Sequence, residues 1–174
     1  FDDTMPILSA ESDVFPEDLF ARPDLGAETQ RQWRVFYLLS RREKEFMRRL
    51  RTMQIAHYCP LIAKRYRSPN GRLRTSYLPL FSGYVFVYGS EADRYQAMTT
   101  NCVSRWMLVS DGAELTADLR QIRSLIATGA PLTAEARLEP GEPVRIRKGA
   151  FAGLEGTIVK RHGLTRLVVA VRFL

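Results

Sequence analysis

The sequence predicts an α+β fold: an antiparallel four-stranded sheet with flanking helices, followed by a small β-barrel module that is incomplete as given. Three observations lead there. The stretches 33–39 and 80–87 are rich in aromatic and β-branched residues at strand spacing. Segments 41–53 and 116–127 repeat apolar residues at the spacing of one helix face. After residue 141 three short alternating runs are separated by glycine-containing turns.

The first strand, WRVFYLL, places Trp33, Val35, Tyr37 and Leu39 on one side and Arg34, Phe36 and Leu38 on the other. Ser40 and Glu43 then have the spacing of a capping box that opens a helix running to about Met53. On that helix Phe46, Leu50 and Met53 form one stripe and Arg41, Lys44, Arg48 and Arg51 another, roughly opposite. Residues 55–63 read as a second strand broken by Pro60, and Ser68, Pro69, Asn70 and Gly71 as the tip of a hairpin flanked by Lys64, Arg65, Arg67, Arg72 and Arg74. Leu80 and the run from Tyr84 to Val87 form a strong strand interrupted at Gly83, suited to the centre of a sheet. A short helix over 91–99, a strand over 103–109 and a long helix over 116–127, with Leu119, Ile122, Leu125 and Ile126 inward, complete the domain. The predicted order is β-α-β-β-α-β-α.

The expected division is an acidic, mobile tail over 1–31, a domain over 32–127, a linker over 128–140 and a terminal module over 141–174. Val144, Ile146, Leu154, Ile158, Val159, Leu167, Val169 and Val171 supply the module's three alternating runs. Three short strands do not close a barrel, so the module is expected to continue past Leu174. The opening FDDTMPIL has no initiator Met and no signal-peptide layout, which is read as a trimmed or processed start.

Charge is distributed unevenly along the 174 residues, whose net charge is +7. Residues 1–30 hold eight acids and one base, whereas 31–75 hold thirteen bases and two acids. Such a basic block is the footprint of a polyanion partner or else a solvated face, and the acidic stretch is placed to screen it. An apolar fraction of 45% fits a globular chain, and no run reaches the length of a membrane helix. Two cysteines cannot build a disulfide framework and favour a reducing compartment.

Two segments resemble the NusG-type transcription elongation factors. One comprises W33-R-V-F-Y, the helix SRREKEFMRRL and P79-L-F-S-G-Y-V-F-V87; the other, V144-R-I-R-K-G-A-F-A-G-L-E-G-T-I-V159, resembles a KOW motif. Two departures stand out: Ser82 occupies a place usually held by Pro, and T99-T-N-C-V-S-R-W106 replaces an Asn-Thr-Pro-Gly-Val stretch. The second makes the chain more similar to the specialised RfaH-like paralogues than to the general factor. The resemblance implies a cytoplasmic, monomeric antitermination factor that docks on the large subunits of RNA polymerase. Phe81, Tyr84 and Phe86 would meet the clamp helices, and Thr99 and Thr100 the gate loop. Arg41, Arg42, Lys44, Arg48, Arg49 and Arg51 would meet the non-template DNA strand. Phe151, Leu154 and Phe173 would bind a ribosomal protein or Rho through the KOW module. The alternative is a free-standing RNA-binding or ribosome-associated KOW protein whose basic hairpin contacts RNA.

No catalysis, cofactor or metal is expected. His57, Cys59, Cys102 and His162 lack the paired spacing of a zinc site. The glycines of G149-A-F-A-G-L-E-G156 are followed by no predicted helix, as a phosphate-binding loop requires.

Overall fold

The computed structural model describes residues 11–130, 132, 142–145, 147, 155–161 and 164–168. Its main sheet contains β1 (Val14–Phe15), β2 (Gln32–Leu38), β3 (Ala56–Tyr58), β6 (Tyr84–Gly89) and β7 (Val103–Leu108), in the order β1-β3-β6-β2-β7. All its pairings are antiparallel. Strands β4 (Leu61–Arg67) and β5 (Leu73–Pro79) form a separate two-stranded ribbon. Helices α1 (Glu43–Thr52), α2 (Glu91–Met98) and α3 (Gly112–Ala127) follow β2, β6 and β7. The predicted order holds from residue 32 to 127 for the helices and the main-sheet strands, but the predicted second strand is divided at Pro60 into β3 and β4, and β5 is an additional strand.

The sheet has five strands rather than four, because the fifth comes from the segment read as a mobile tail. That reading fails for residues 11–31. Val14 and Phe15 pair with Tyr58 and His57, and Val14, Leu19, Phe20 and Leu25 are buried in the core. Charge composition pointed to a tail, but the large aliphatic side chains and Phe20 between the acids are buried, and Phe15 is partly so. Polar contacts then hold the segment: Arg120 donates to the carbonyls of Phe20 and Arg22, and the Thr116 hydroxyl to that of Leu25. Gly26 crosses Gly112 so closely that a Cβ on Gly26 would lie 2.4 Å from the Gly112 carbonyl oxygen, and its φ of +86° favours glycine as well.

Both faces of the sheet are covered, since the two sides of β2 are apolar in alternation. Trp33 and Val35 join Tyr58, Phe86 and Tyr88 under Leu115 and Leu119 of α3. Phe36 and Leu38 join Val85 and Val87 against Phe46, Met47 and Leu50 of α1. Arg34, on the α1 side, is also buried, and donates to the Gly89 carbonyl and to Glu91.

Helix starts are where sequence and structure differ most. The Ser40–Glu43 capping box does not form; α1 begins at Glu43 behind Arg42, which gives no side-chain cap. A capping box forms instead at α2, between Ser90 and Asp93. Helix α3 starts at Gly112 rather than 116, capped by Asp111.

In the terminal region β8 (Glu142–Arg145), β9 (Glu155–Arg161) and β10 (Leu164–Val168) pair antiparallel in the order β10-β9-β8. No helix among the described residues is long and apolar enough to cross a membrane.

Candidate functional site

The pairing of β2 with β6 aligns three residue couples on the α3 side of the sheet: Trp33 with Tyr88, Val35 with Phe86, and Tyr37 with Tyr84. The first two couples are buried. The third lies at the end of the row. Tyr37 is 36% exposed and Tyr84 half-buried, with ring centroids 5.1 Å apart. The guanidinium of Arg105 stands 5.1 Å from the Tyr37 ring centroid. Phe81, half-buried, meets Phe86 edge to face and packs on the same cluster.

Gly83 makes this aromatic shelf possible. Its φ is +86°, and a Cβ there would come within 3.1 Å of the Tyr37 ring. Its N–H donates to the Glu43 carboxylate at 2.8 Å, and its carbonyl accepts from the Leu38 N–H. Glu43 is thus a buried strap between α1 and the turn that carries Tyr84, which is why it does not cap its own helix.

The expected docking residues fall into two groups. Phe81 and Tyr84 belong to the shelf. Phe86 does not reach solvent: it is 0% exposed, because the β6 alternation that exposes Tyr84 continues under α3. Tyr37 was missed as a site residue, although its place on the Trp33 and Val35 side was legible; only the strand register sets it beside Tyr84. Thr99 is exposed at the end of α2. Thr100 is buried, donating to the Ala97 carbonyl at 2.8 Å and accepting from the Cys102 N–H, so it serves the helix end rather than a partner.

The basic row on α1 is also divided. Arg41 lies outside the helix at a φ of +60°, and Arg42 occupies the position before its first turn without a side-chain cap. Arg42 and Arg49 both pair with Glu45. Arg48 pairs with Glu11, and Arg51 donates to the Ser12 carbonyl at 3.0 Å. Hydrogen bonding to Arg48 holds the Glu11 carboxyl below the usual range. Lys44 is half-buried on the same helix. The acidic segment therefore lies across two members of the row.

Phe151, Leu154 and Phe173 lie outside the described residues. The described residues contain no group of three or more His, Cys, Asp or Glu side chains able to hold a metal ion. Burial pushes the Cys59 thiol up to about 12, which suits packing and not nucleophilic chemistry. His57 is buried, stacked on Phe15 and bonded through Nδ1 to the Ile55 carbonyl. A carbonyl only accepts, so the neutral ring carries its proton on Nδ1, and Nε2 has no partner among the described residues.

The family model described as transcription termination factor nusG matches residues 31–128, from the start of β2 to just past α3. That is more than half of the chain. The protein belongs to the NusG family. Members are non-enzymatic transcription factors that bind RNA polymerase. The match begins after the N-terminal segment that supplies β1 and covers α1, so this strap lies outside the part shared with the family model. A comparison with curated proteins gives no match.

Proposed function

We propose that this NusG-family chain is a bacterial transcription elongation and antitermination factor, of the specialised RfaH-like kind. It binds RNA polymerase and suppresses pausing or termination on particular operons. The aromatic shelf carries this reading: Tyr37, Tyr84 and Phe81 present aromatic surface beside Arg105, the composition of an anchor filling an apolar groove. In this reading the shelf docks on the clamp helices of the largest subunit. Thr99 faces the gate loop of the other large subunit, and α1 faces the non-template strand. The domain spans 32–127, with the residue 11–31 segment as its strap. A linker over 128–140 leads to a KOW module over 141–174, where Phe151, Leu154 and Phe173 receive a ribosomal protein or Rho. The factor works as a cytoplasmic monomer and by binding alone. Contacts to both sides of the polymerase cleft favour the closed state and deplete the states from which pausing proceeds.

The test is co-purification with polymerase. Tyr37→Ser and Tyr84→Ser should each weaken binding by about 2 kcal/mol, roughly thirtyfold. Phe86→Leu, a core change, should leave docking intact in molecules that fold. Full retention of polymerase by a folded Tyr37→Ser, Tyr84→Ser double variant would refute the assignment.

A further inference from the structure

The β4–β5 ribbon is the other concentrated charge on the molecule, and the docking reading does not use it. Between Glu45 and Glu91 the sequence has no acidic residue. The ribbon leaves the body at its base, where Leu61 and Leu80 are buried and the Leu80 N–H donates to the Pro60 carbonyl at 2.7 Å. Ile62 and Tyr77 pack against clusters on opposite sides of the sheet. Beyond them, residues 63–67 and 69–75 are exposed. The turn closes through the Gly71 N–H to the Ser68 carbonyl and the Ser68 N–H to that of Arg72.

Register places the cations. Residues directly opposite share a face, so Lys64, Tyr66 and Arg74 lie on one side with Ser76. Arg65 and Arg67 lie on the other with Leu73 and Thr75. Arg72 sits at the turn. None of these five cations takes part in an ion pair among the described residues. A ribbon that lay flat on a single strand would need positive charge on one face only. Charge on both faces fits insertion between two rows of phosphates. Four residue steps separate the Ala63–Tyr77 pair from the Arg67–Leu73 pair. At about 3.3 Å per residue they reach roughly 13 Å. The major groove of B-DNA is about 12 Å wide and 8.5 Å deep and admits a two-stranded ribbon.

We propose that the β4–β5 ribbon is a DNA-duplex-binding element that enters the major groove, with Lys64 and Arg74 facing one phosphate wall and Arg65 and Arg67 the other. The ribbon has no acidic or amide side chain except Asn70 at its tip, so it grips phosphate and contributes little choice of sequence.

The experiment is fluorescence anisotropy of the full chain, without polymerase, on three probes: a DNA duplex, an RNA duplex of the same sequence and the single DNA strand. Replacing Lys64, Arg65, Arg67 and Arg74 together by Gln should lower DNA-duplex affinity at least about tenfold. The log-log salt slope should fall by about 0.9 for each phosphate that the variant no longer neutralises. Lys64→Gln with Arg74→Gln, and Arg65→Gln with Arg67→Gln, should each produce a comparable part of that loss. The RNA duplex, whose major groove is deep and narrow, should be less sensitive to the four changes. An unchanged DNA-duplex affinity would overturn the proposal. So would one inert face, or equal losses on all three probes, which would mean that the cations only follow phosphate. Unchanged thermal unfolding of the variants would show that the exposed substitutions leave the fold intact. Because polymerase is absent, failure here leaves the docking test untouched, and the converse also holds.

Discussion

Helix α1 and the β4–β5 ribbon are equally conspicuous as basic runs, yet the fold treats them in opposite ways. On α1 every arginine from Arg42 to Arg51 meets an acceptor: Glu45 for Arg42 and Arg49, Glu11 for Arg48, and the Ser12 carbonyl for Arg51. On the ribbon no cation has an ion pair among the described residues. A count of charge along the chain cannot distinguish these cases. The difference arises from where the acidic segment is anchored: its buried Leu19 and Phe20, and its β1 pairing, bring Glu11 to α1 rather than to the ribbon.

The most severe way to break the comparison is to release that anchor. Leu19 is fully buried, so Leu19→Ala should cost about 2–5 kcal/mol, read from denaturant unfolding. A stability loss below about 1 kcal/mol would restore the tail reading and remove the distinction between the two regions.

Acid should loosen the same strap from the other side, because His57 stacks on Phe15 of β1. Burial, opposed by the bond to the Ile55 carbonyl and assisted by nearby Arg51, lowers the His57 pKa from 6.5 to about 4. The unfolded chain therefore binds a proton that the folded chain refuses. This contribution is fully present above pH 6.5 and is lost as pH falls toward 4, amounting to about 3 kcal/mol over that window. A pH series of unfolding curves for wild type and His57→Leu should diverge in slope there. Parallel curves would show that His57 does not carry the effect.

At intermediate size, the two regions should differ in nucleic-acid binding by the free chain. Neutralising the ribbon is expected to cost at least about tenfold, whereas Arg48→Gln with Arg51→Gln should change affinity by no more than about threefold. Anisotropy titrations at one salt concentration compare them directly. Equal losses would mean that the acidic strap does not shield α1.

The smallest effect is expected from the shield itself. Glu11→Gln removes an exposed ion pair and should alter stability by less than about 1 kcal/mol. Its signature is instead a rise in single-strand affinity of about twofold, which narrows the gap between helix and ribbon and vanishes at high salt. No rise at low salt would show that Glu11 does not compete for Arg48.

Local pattern carried most of the domain. The two-sided apolar alternation of β2, the β6 strand after Gly83, the Asn70–Gly71 turn and the inward stripes of α1 and α3 were all legible, because strand and helix periods are written in neighbouring residues. Phe81 and Tyr84 were legible as a site only through resemblance, since aromatic content does not say which rings are covered. The misplaced features depend on partners far away in the chain. Spacing pairs Glu43 with Ser40 three residues back, but it binds the Gly83 N–H. Strand alternation puts Phe86 on the same face as Tyr84 two residues away, yet α3 ends its cover between them.

By itself, then, the sequence determined the helices and main-sheet strands, their order between residues 32 and 127 and the membership of the NusG family, because these rest on spacing and on residues matched one by one. Only the tertiary structure decided that the acidic segment is a strap with a strand of its own, that Tyr37 completes the shelf and that, among the described residues, acidic partners reach α1 and not the ribbon. The reason is physical: hydrophobic burial and ion pairing act through space. A residue's neighbours across a sheet or beneath a helix are chosen by register and packing, and neither is written in the residues beside it.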